Sequence, residues 1–266
     1  MAVIHKTTLT PGKLELLAAW LPSQPWYEGG ERHPELARAG GFRLDDPRGE
    51  VGIEFMVVTD DSGDEPLSYL VPLTYRGAPL DGADHALIGT AEHGVLGPRW
   101  IYDGAHDPVL VAQLLALLQG AAEPQAQSVS NTPDPSVVSG FTGPQITGPQ
   151  ITGPEITGPE ITGPEITGPV TSPAAAGGPR CTDIAVRTDS VVRADSVTQA
   201  GAVTPEGWAE GPQRGQDGGL VIRVNRVLLP GEEDTTGAQG HVTAGWRLPD
   251  GTEARGVFAT VRNAAP

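Results

Sequence analysis

The middle of the chain carries the feature that most limits what it can fold into: six tandem five-residue units over residues 141–170, reading FTGPQ, ITGPQ, ITGPE, ITGPE, ITGPE and ITGPV. Each unit holds a proline, which lacks a backbone N–H, and a glycine, which resists ordering. A β-solenoid needs backbone donors in every rung, so we expect a solvated spacer, about 90 Å long as polyproline II or about 30 Å as a random coil. A ligand-docking array and a phosphorylated threonine tract are the alternatives.

The low-complexity character extends beyond the repeat. No Phe, Tyr or Trp occurs between Thr142 and Gly207, so this stretch lacks the side chains that anchor a core. Valine and isoleucine recur at short intervals over residues 181–197, which allows a weak strand. We nevertheless predict that residues 136–217 form a mostly disordered, Pro/Gly-rich linker.

The region before the linker has the periodicity of a globular domain. Residues 2–8 alternate as a first strand, and the apolar face of residues 14–21 predicts a helix that Pro22 ends. Residues 51–58 and 67–75 alternate in phase, which predicts an antiparallel hairpin with its second strand at an edge or bulge because of Pro72.

A second helix is predicted just before the linker. Asp107 is a suitable N-cap, Pro108 suits the first helical position, and Gly120 stands where a left-handed C-cap is favoured. The apolar run between them, residues 109–118, is ten residues long, whereas a bilayer needs about 20. The first residues contain no apolar segment of signal-peptide length, so we expect a cytoplasmic protein.

After the linker, three alternating segments lie at residues 219–229, 240–248 and 252–262. A sheet this small buries too little surface to be stable alone, so we expect these strands to complete the sheet of the first region. The predicted organisation is a domain whose first part is residues 1–135, interrupted by the linker at 136–217 and completed by residues 218–266. Such an insertion is tolerated because each doubling of loop length costs only about 0.6 kcal/mol.

Charge and cysteine content exclude several classes of function. The formal net charge is −16, which repels phosphate backbones and anionic lipid and so argues against nucleic-acid and membrane-surface binding. One cysteine, Cys181, excludes an intrachain disulfide and a thiolate-rich metal site. Its neighbourhood holds no histidine, and no Gly-x-Ser-x-Gly motif occurs, so covalent catalysis is not indicated.

Phosphoryl transfer and metal binding are weakly supported. The Gly12-Lys13 pair is not a P-loop, because Thr7 stands where the first glycine is required, and no His-x-Asp catalytic loop of a kinase occurs. Two groups contain residue types that bind metals. The first lies in a predicted hairpin turn and consists of Asp60, Asp61, Asp64 and Glu65. The second includes the predicted helix cap and consists of Asp103, His106 and Asp107. We expect no catalytic, cofactor-binding or metal-ligating residue, although two acidic residues could still meet as a glycosidase pair.

The aromatic residues are the remaining candidates for contact with a ligand. They are Trp20, Trp26, Tyr27, Trp100 and Tyr102. Tryptophan is chiefly a core and interface residue, so core packing is favoured over a partner interface, and both over stacking on sugar rings. If a partner or glycan contact exists, we expect it to use exposed Trp26, Tyr27 or Trp100.

Several stretches together resemble bacterial proteins related to the N-terminal cap domain of maltokinase. The likeness covers residues 1–135 and 218–262 and is most specific from Leu87 to Pro108. The stretches read AVIHKTTLTPGKLELLAAWLPSQPWY, GGFRLDDPRGEVGIEFMVV, YLVPLTYRGAPL, LIGTAEHGVLGPRWIYDGAHDPVLVAQLLALL and GHVTAGWRLPDGTEARGVFATVR. The resemblance implies an α+β fold, a curved antiparallel sheet with two main helices. It places the protein in maltose, trehalose and glycogen metabolism.

The resemblance carries no catalytic residue onto this chain, because no kinase lobe accompanies the cap-like stretches. We therefore expect a non-catalytic cap-like protein that acts through a protein partner, either a kinase or an enzyme of glucan metabolism. A glycan-binding module using exposed aromatics is the first alternative. An α-glucan-modifying enzyme with an unrecognised site is the second, since cap-like proteins of this kind are often called glucan-branching proteins.

Overall fold

The computed structural model describes residues 8–30, 32–129, 131–143, 174–187, 219–232 and 234–264. Within these ranges the chain forms fourteen strands and two α-helices. In chain order they are β1 (Leu9–Thr10), α1 (Lys13–Trp20), β2 (Leu36–Leu44), β3 (Gly52–Asp60), β4 (Leu67–Arg76), β5 (Leu87–His93), β6 (Gly97–Asp103), α2 (Pro108–Leu118), β7 (Gln125–Ala126), β8 (Val138–Phe141), β9 (Ala174–Gly177), β10 (Cys181–Arg187), β11 (Gly219–Asn225), β12 (Val227–Leu228), β13 (Gly240–Arg247) and β14 (Glu253–Asn263). Residues 2–7 of the predicted first strand and residues 144–170 of the repeat lie outside the described residues.

All fourteen strands belong to one antiparallel sheet, in the order β1-β5-β6-β4-β3-β2-β13-β14-β11-β10-β9, with β12 paired to β4, β7 to β2 and β8 to β13. The strands after the linker join those before it where Trp246 of β13 pairs with Gly40 of β2, and where β12 pairs with β4. The molecule is richer in sheet than the predicted α+β class, because β2 and β5 to β9 are strands that the sequence analysis did not predict. The proposed boundaries at residues 135 and 218 stay a prediction.

Both described segments of the predicted linker, residues 136–143 and 174–187, contain strands, and β10 confirms the weak strand that the sequence allows over residues 181–197. Residues 138–141 form β8, which pairs with β13, and residues 181–187 form β10, which pairs with β11 over its whole length. Ile184 and Val186 are buried in the main core, so these few apolar side chains are enough to dock the strand on an existing sheet. The remainder of the linker lies outside the described residues.

The sheet is covered by one helix on each face. Odd-numbered residues of β3, such as Phe55 and Val57, pack in a cluster with α2, whereas Met56 and Val58 pack in a second cluster with α1. Successive side chains of a strand point to opposite faces, so β3 is buried on both. The predicted alternation within each of the two segments is confirmed. Val51, Ile53, Phe55 and Val57 lie in the cluster with α2, and Tyr69, Val71 and Leu73 lie in the cluster with α1.

The second helix forms as its caps predict. The Asp107 side chain accepts a hydrogen bond from the N–H of Val109, Pro108 occupies the first turn, and Gly120 has a φ of +73° just after the helix. A positive φ is easily adopted only by glycine, which ends the helix there. Neither described helix is both long and apolar enough to cross a bilayer.

Pro72 lies inside the sheet, in β4 between two successive partner strands. The N–H of Leu70 donates to the carbonyl of Arg226, just before β12, while the pairing of β4 with β6 begins at Leu73. Alternate residues of a strand direct their N–H groups to the same side. The missing N–H of Pro72 therefore faces the junction where one partner has ended and the next begins, which is why proline is tolerated away from the sheet edge.

Candidate functional site

An open depression of about 450 Å³ lies where α1 begins beside β2 and β3. The first turn of α1 provides one side of it, Arg38 of β2 another, and Glu54 and Met56 of β3 the base. We call this surface the Lys13 depression, and its lining residues are Gly12, Lys13, Leu14, Glu15, Arg38, Glu54 and Met56.

Glu54 is a carboxylate in the middle of a buried strand, and only 4% of it is exposed. Its Oε2 atom accepts hydrogen bonds from Lys13 Nζ at 2.5 Å and the Tyr75 hydroxyl at 2.6 Å, and its Oε1 atom accepts one from Gln127 Nε2 at 2.7 Å. Burial alone would raise the pKa of Glu54, but the charge of Lys13 and these three hydrogen bonds lower it below its usual value. Glu54 is therefore ionised at neutral pH.

Tyr75 and Lys13 complete the charge arrangement around Glu54. Burial and the neighbouring Glu54 charge raise the pKa of Tyr75 well above its usual value, so its hydroxyl stays protonated and acts as a donor. The Lys13 ammonium lies 5.1 Å from the centre of the Tyr75 ring, a cation–π distance. Lys13 keeps 40% of its side chain exposed, so it connects the buried carboxylate with the open depression.

Arg38 is held beside the depression by Gln127, which bridges it to Glu54. Arg38 Nε and Nη2 donate to Gln127 Oε1 at 2.8 and 2.5 Å, and Nη2 also donates to Ser128 Oγ at 2.8 Å.

The register of β2 against β3 shifts between Arg38 and Gly40. Gly41 follows with a φ of +121°, and a Cβ there would lie 1.9 Å from the carbonyl oxygen of Phe55, so only glycine fits.

These protonation states favour binding over acid–base catalysis. A general base or acid works best when its pKa lies near the operating pH. In this cluster the pKa of Glu54 is lowered and that of Tyr75 is raised, so both move away from neutrality. What the cluster offers is a set of fixed hydrogen-bonding groups at an open surface.

Trp26 is buried, and the expectation that it is exposed is wrong. Only 2% of Trp26 is accessible. Its ring packs 5.8 Å from that of Trp20, 6.0 Å from that of Tyr69 and 5.0 Å from the guanidinium of Arg226. Two of these contacts, Tyr69 and Arg226, come from distant parts of the chain, and Trp26 belongs to a buried cluster of the core.

The other two predicted contact residues are half-buried and belong to different clusters. Tyr27 lies against Tyr69, with ring centres 5.4 Å apart, and its hydroxyl donates to Asp60 Oδ2 at 2.7 Å. Trp100 packs beside Tyr102 in a small cluster at the end of β6. A glycan or partner contact through either residue stays a prediction.

In the candidate metal group of Asp103, His106 and Asp107, both carboxylates form ion pairs with arginines. Arg226 is fully buried, and its Nη2 atom donates to both Asp103 oxygens at 2.9 and 2.7 Å. Arg76 makes a two-pronged contact with Asp107, at 2.6 and 2.7 Å. We call Asp103, Asp107, Arg76 and Arg226 the Asp103 corner; each of its carboxylates is paired with an arginine, which supports a structural role.

His106 stands beside the Asp103 corner but contacts a different partner. Its Nδ1 atom lies 3.1 Å from His85 Nε2, with the rings nearly perpendicular. Burial lowers the pKa of His106; Asp103 acts in the opposite direction, while His85 and Arg226 reinforce the decrease. His106 is therefore neutral at physiological pH.

In the second candidate metal group, the turn after β3, Asp60 already accepts hydrogen bonds from nearby residues. Asp60 accepts from Tyr27, from the N–H of Glu35 and from the N–H of Ser62. Burial alone would raise the pKa of Asp60, and these hydrogen bonds lower it. Asp61, Asp64 and Glu65 are exposed on the turn. Across the described residues, no group of three or more His, Cys, Asp or Glu side chains is placed to hold a metal ion.

Sequence reasoning did not identify the residues of the Lys13 depression. Glu54 lies 41 positions from Lys13 and 73 positions from Gln127, so no local spacing indicates that they meet. Two signals were present: Glu54 is a lone charge within the apolar run GIEFMVV, and Lys13 is one of only two lysines in the chain. A single charged residue in an otherwise buried strand needs a partner, and Lys13 provides it.

Comparison with known proteins agrees with this architecture. Residues 20–107 match the family model of the maltokinase N-terminal cap domain. The matched segment begins at the end of α1 and ends at the Asp107 cap of α2, so it contains both arms of the β3–β4 and β5–β6 hairpins. The resemblance to the maltokinase cap is thereby supported, and it fits a maltokinase-related role in α-glucan metabolism. No curated protein sequence matches the chain.

Proposed function

We propose that this protein is a non-catalytic, cap-like protein of maltose, trehalose and glycogen metabolism that acts by binding another protein. The observation that carries the proposal is the state of its buried carboxylates. All five in the described part of the chain accept hydrogen bonds from fixed partners; they are Asp46, Glu54, Asp60, Asp103 and Asp107. Carboxylates committed in this way support a structural or binding role over acid–base chemistry.

The surface that best fits a protein contact is the tip of the β5–β6 hairpin. Val95 is 62% exposed and Leu96 is 46% exposed, side by side in the turn. The N–H groups of both residues donate to Nδ1 of His93, at 3.3 and 3.0 Å. The tip therefore presents two apolar side chains on a preformed backbone, which lowers the entropy cost of burying them against a partner.

The test is direct binding to an intact maltokinase from the same cell, measured by calorimetry with the purified full chain. Replacing Val95 and Leu96 together by serine is expected to weaken binding at least tenfold. Val129→Ser is the matched control, because Val129 is 55% exposed elsewhere on the surface. Equal affinity of wild type and the double variant would remove the hairpin tip from the proposal.

The catalytic alternatives are tested with the same protein. ATP consumption that depends on maltose, and that a substitution within this chain abolishes, would overturn the non-catalytic role. An α-glucan-modifying activity would appear as a change in the chain-length distribution of a glucan incubated with the protein. We expect neither.

Glycan binding through aromatic residues is the second candidate, supported by the partial exposure of Tyr27 and Trp100. With Trp26 in the core, Trp100 is the tryptophan among the predicted contacts that a sugar could reach. Maltodextrin titration followed by tryptophan fluorescence, with Trp100→Phe as comparison, separates this mode from the others. A signal that persists in Trp100→Phe would argue against it.

A further inference from the structure

We propose that the Lys13 depression is a binding site for a small uncharged polyhydroxylated ligand, a short sugar of about disaccharide size. This goes beyond the proposed function, since it requires no protein partner and uses a different face of the molecule from the hairpin tip. Nothing in the aromatic-residue hypothesis includes these residues.

The size of the depression suits such a ligand. Its volume of about 450 Å³ lies within the range of about 300–1,000 Å³ that is usual for small-molecule sites. Leu14 and Met56 contribute apolar surface, while Lys13, Glu15, Arg38 and Glu54 contribute polar groups. A sugar ring also combines C–H faces with a rim of hydroxyl groups.

The charges of the lining favour a neutral ligand over an ion. The two cations, Lys13 and Arg38, are balanced by two carboxylates, Glu15 and Glu54. An anion would meet the two carboxylates and a cation would meet the two basic groups, whereas a hydroxyl group can donate to one kind and accept from the other. The balance of donors and acceptors therefore selects hydroxyl groups.

The polar groups are held in place before any ligand arrives. Gln127 links Arg38 to Glu54, Tyr75 and Lys13 hold the other carboxylate oxygen, and Glu15 Oε2 accepts the N–H of Gly12 at 2.7 Å. The ammonium of Lys13 has three protons, and its contact with Glu54 uses one. Binding to such a preorganised set loses little side-chain entropy.

The experiment is calorimetric titration of the full chain with maltose, chosen because the cap match gives an α-glucan context, and separately with inorganic phosphate. Wild type is expected to bind maltose in the millimolar range or tighter and to show no heat with phosphate. Arg38→Ala and Glu15→Gln are each expected to weaken maltose binding at least fivefold. Both residues are at the surface, and a thermal melt of each variant checks that it remains folded.

Arg223→Ala is the matched control, because Arg223 is a partly exposed arginine paired with Asp183, and its strand β11 is separated from β2 by β13 and β14. It is expected to leave maltose affinity unchanged. Three results would overturn the proposal: no maltose binding by wild type, phosphate binding that Arg38→Ala abolishes, or maltose binding that Trp100→Phe abolishes while Arg38→Ala does not. Each of these leaves the proposed partner contact at Val95 and Leu96 intact, so the two ideas fail separately.

Discussion

The Asp103 corner and the Lys13 depression both place a buried carboxylate against a basic side chain, but they differ in the exposure of the basic partner. At the corner, the side chains of Arg226 and Asp103 are 0% and 5% exposed. In the depression, the Glu54 side chain is 5% exposed while that of Lys13 is 40% exposed. The ion pair is therefore fully buried at the Asp103 corner, which we call the sealed pair, and partly exposed to solvent in the Lys13 depression, which we call the open pair.

This difference assigns the two regions different roles. Arg226 lies between β11 and β12 and reaches Asp103 at the end of β6, Thr182 in β10 and the ring of Trp26, so it ties the strands after the linker to those before it. Lys13 contacts the Glu54 carboxylate and the Tyr75 ring, and 40% of its side chain remains exposed to solvent. Where both partners are buried, the pair specifies the fold; where one remains accessible, the pair can take part in binding.

The largest expected effect follows from breaking the sealed pair. Asp103→Asn leaves the Arg226 charge buried without a counterion, which should lower the free energy of unfolding by about 3–5 kcal/mol. Urea denaturation of the full chain measures it. Asp183→Asn is the matched control, because Asp183 pairs with Arg223 at a surface where both are about one-third exposed, and such pairs contribute about 0–1 kcal/mol. Equal losses of unfolding free energy in Asp103→Asn and Asp183→Asn would contradict the distinction between buried and partly exposed ion pairs.

A smaller, pH-dependent loss of stability is expected from removing Lys13 from its ion pair with Glu54. Lys13→Met removes the charge that lowers the pKa of Glu54, while Tyr75 and Gln127 still donate to the carboxylate, so we expect a loss of about 1–3 kcal/mol at pH 7. In wild type the lowered pKa means that Glu54 contributes stability above its usual pKa, and this contribution is lost as the pH falls through the lowered value.

In Lys13→Met we expect burial to outweigh the hydrogen bonds from Tyr75 and Gln127 and to raise the pKa of Glu54, so that protonation relieves an unpaired buried charge. The difference in stability between wild type and variant should therefore narrow as the pH is lowered from 7 to 4. Urea midpoints at four pH values in this range measure it, with Lys13→Arg as the charge-preserving control. A difference that stays constant with pH would mean that Lys13 acts through packing alone.

Local elements could be predicted from the sequence because their signals are local. The cap, first-turn proline and C-terminal glycine of α2 lie within 14 residues, and the alternation of β3 and β4 identifies their faces without any knowledge of partners. The predicted alternating segments at residues 240–248 and 252–262 likewise correspond to β13 and β14.

The candidate site, and which of the aromatic residues are fully buried, could not be predicted in this way, because both depend on contacts across long stretches of chain. Arg226 is 123 positions from Asp103, and Trp26 is covered by Tyr69 and Arg226. A tryptophan that follows Pro25 outside a helix has no periodicity that would place it inside. The strand β9 was missed, and β10 was predicted only as a weak strand, for the same reason: β10 forms because it can pair with β11, and β9 forms because it can pair with β10.

The smallest expected effect concerns the repeat, whose neighbours are well defined even though its own residues are outside the described ranges. The strand β8 ends at Phe141 and β9 begins at Ala174, so the 32 residues 142–173 connect two strands of one sheet. Removing three of the six units would shorten this connection to about half, and loop closure then predicts a gain of only about 0.6 kcal/mol in the free energy of unfolding. Deleting residues 218–262 should instead unfold the first region, because β11, β13 and β14 lie in its sheet and Ile222, Val242 and Phe258 in its core. Thermal melts of the two deletions make the comparison. A loss of several kcal/mol on shortening the repeat would mean that the units make stabilising contacts, and the spacer interpretation would then be wrong.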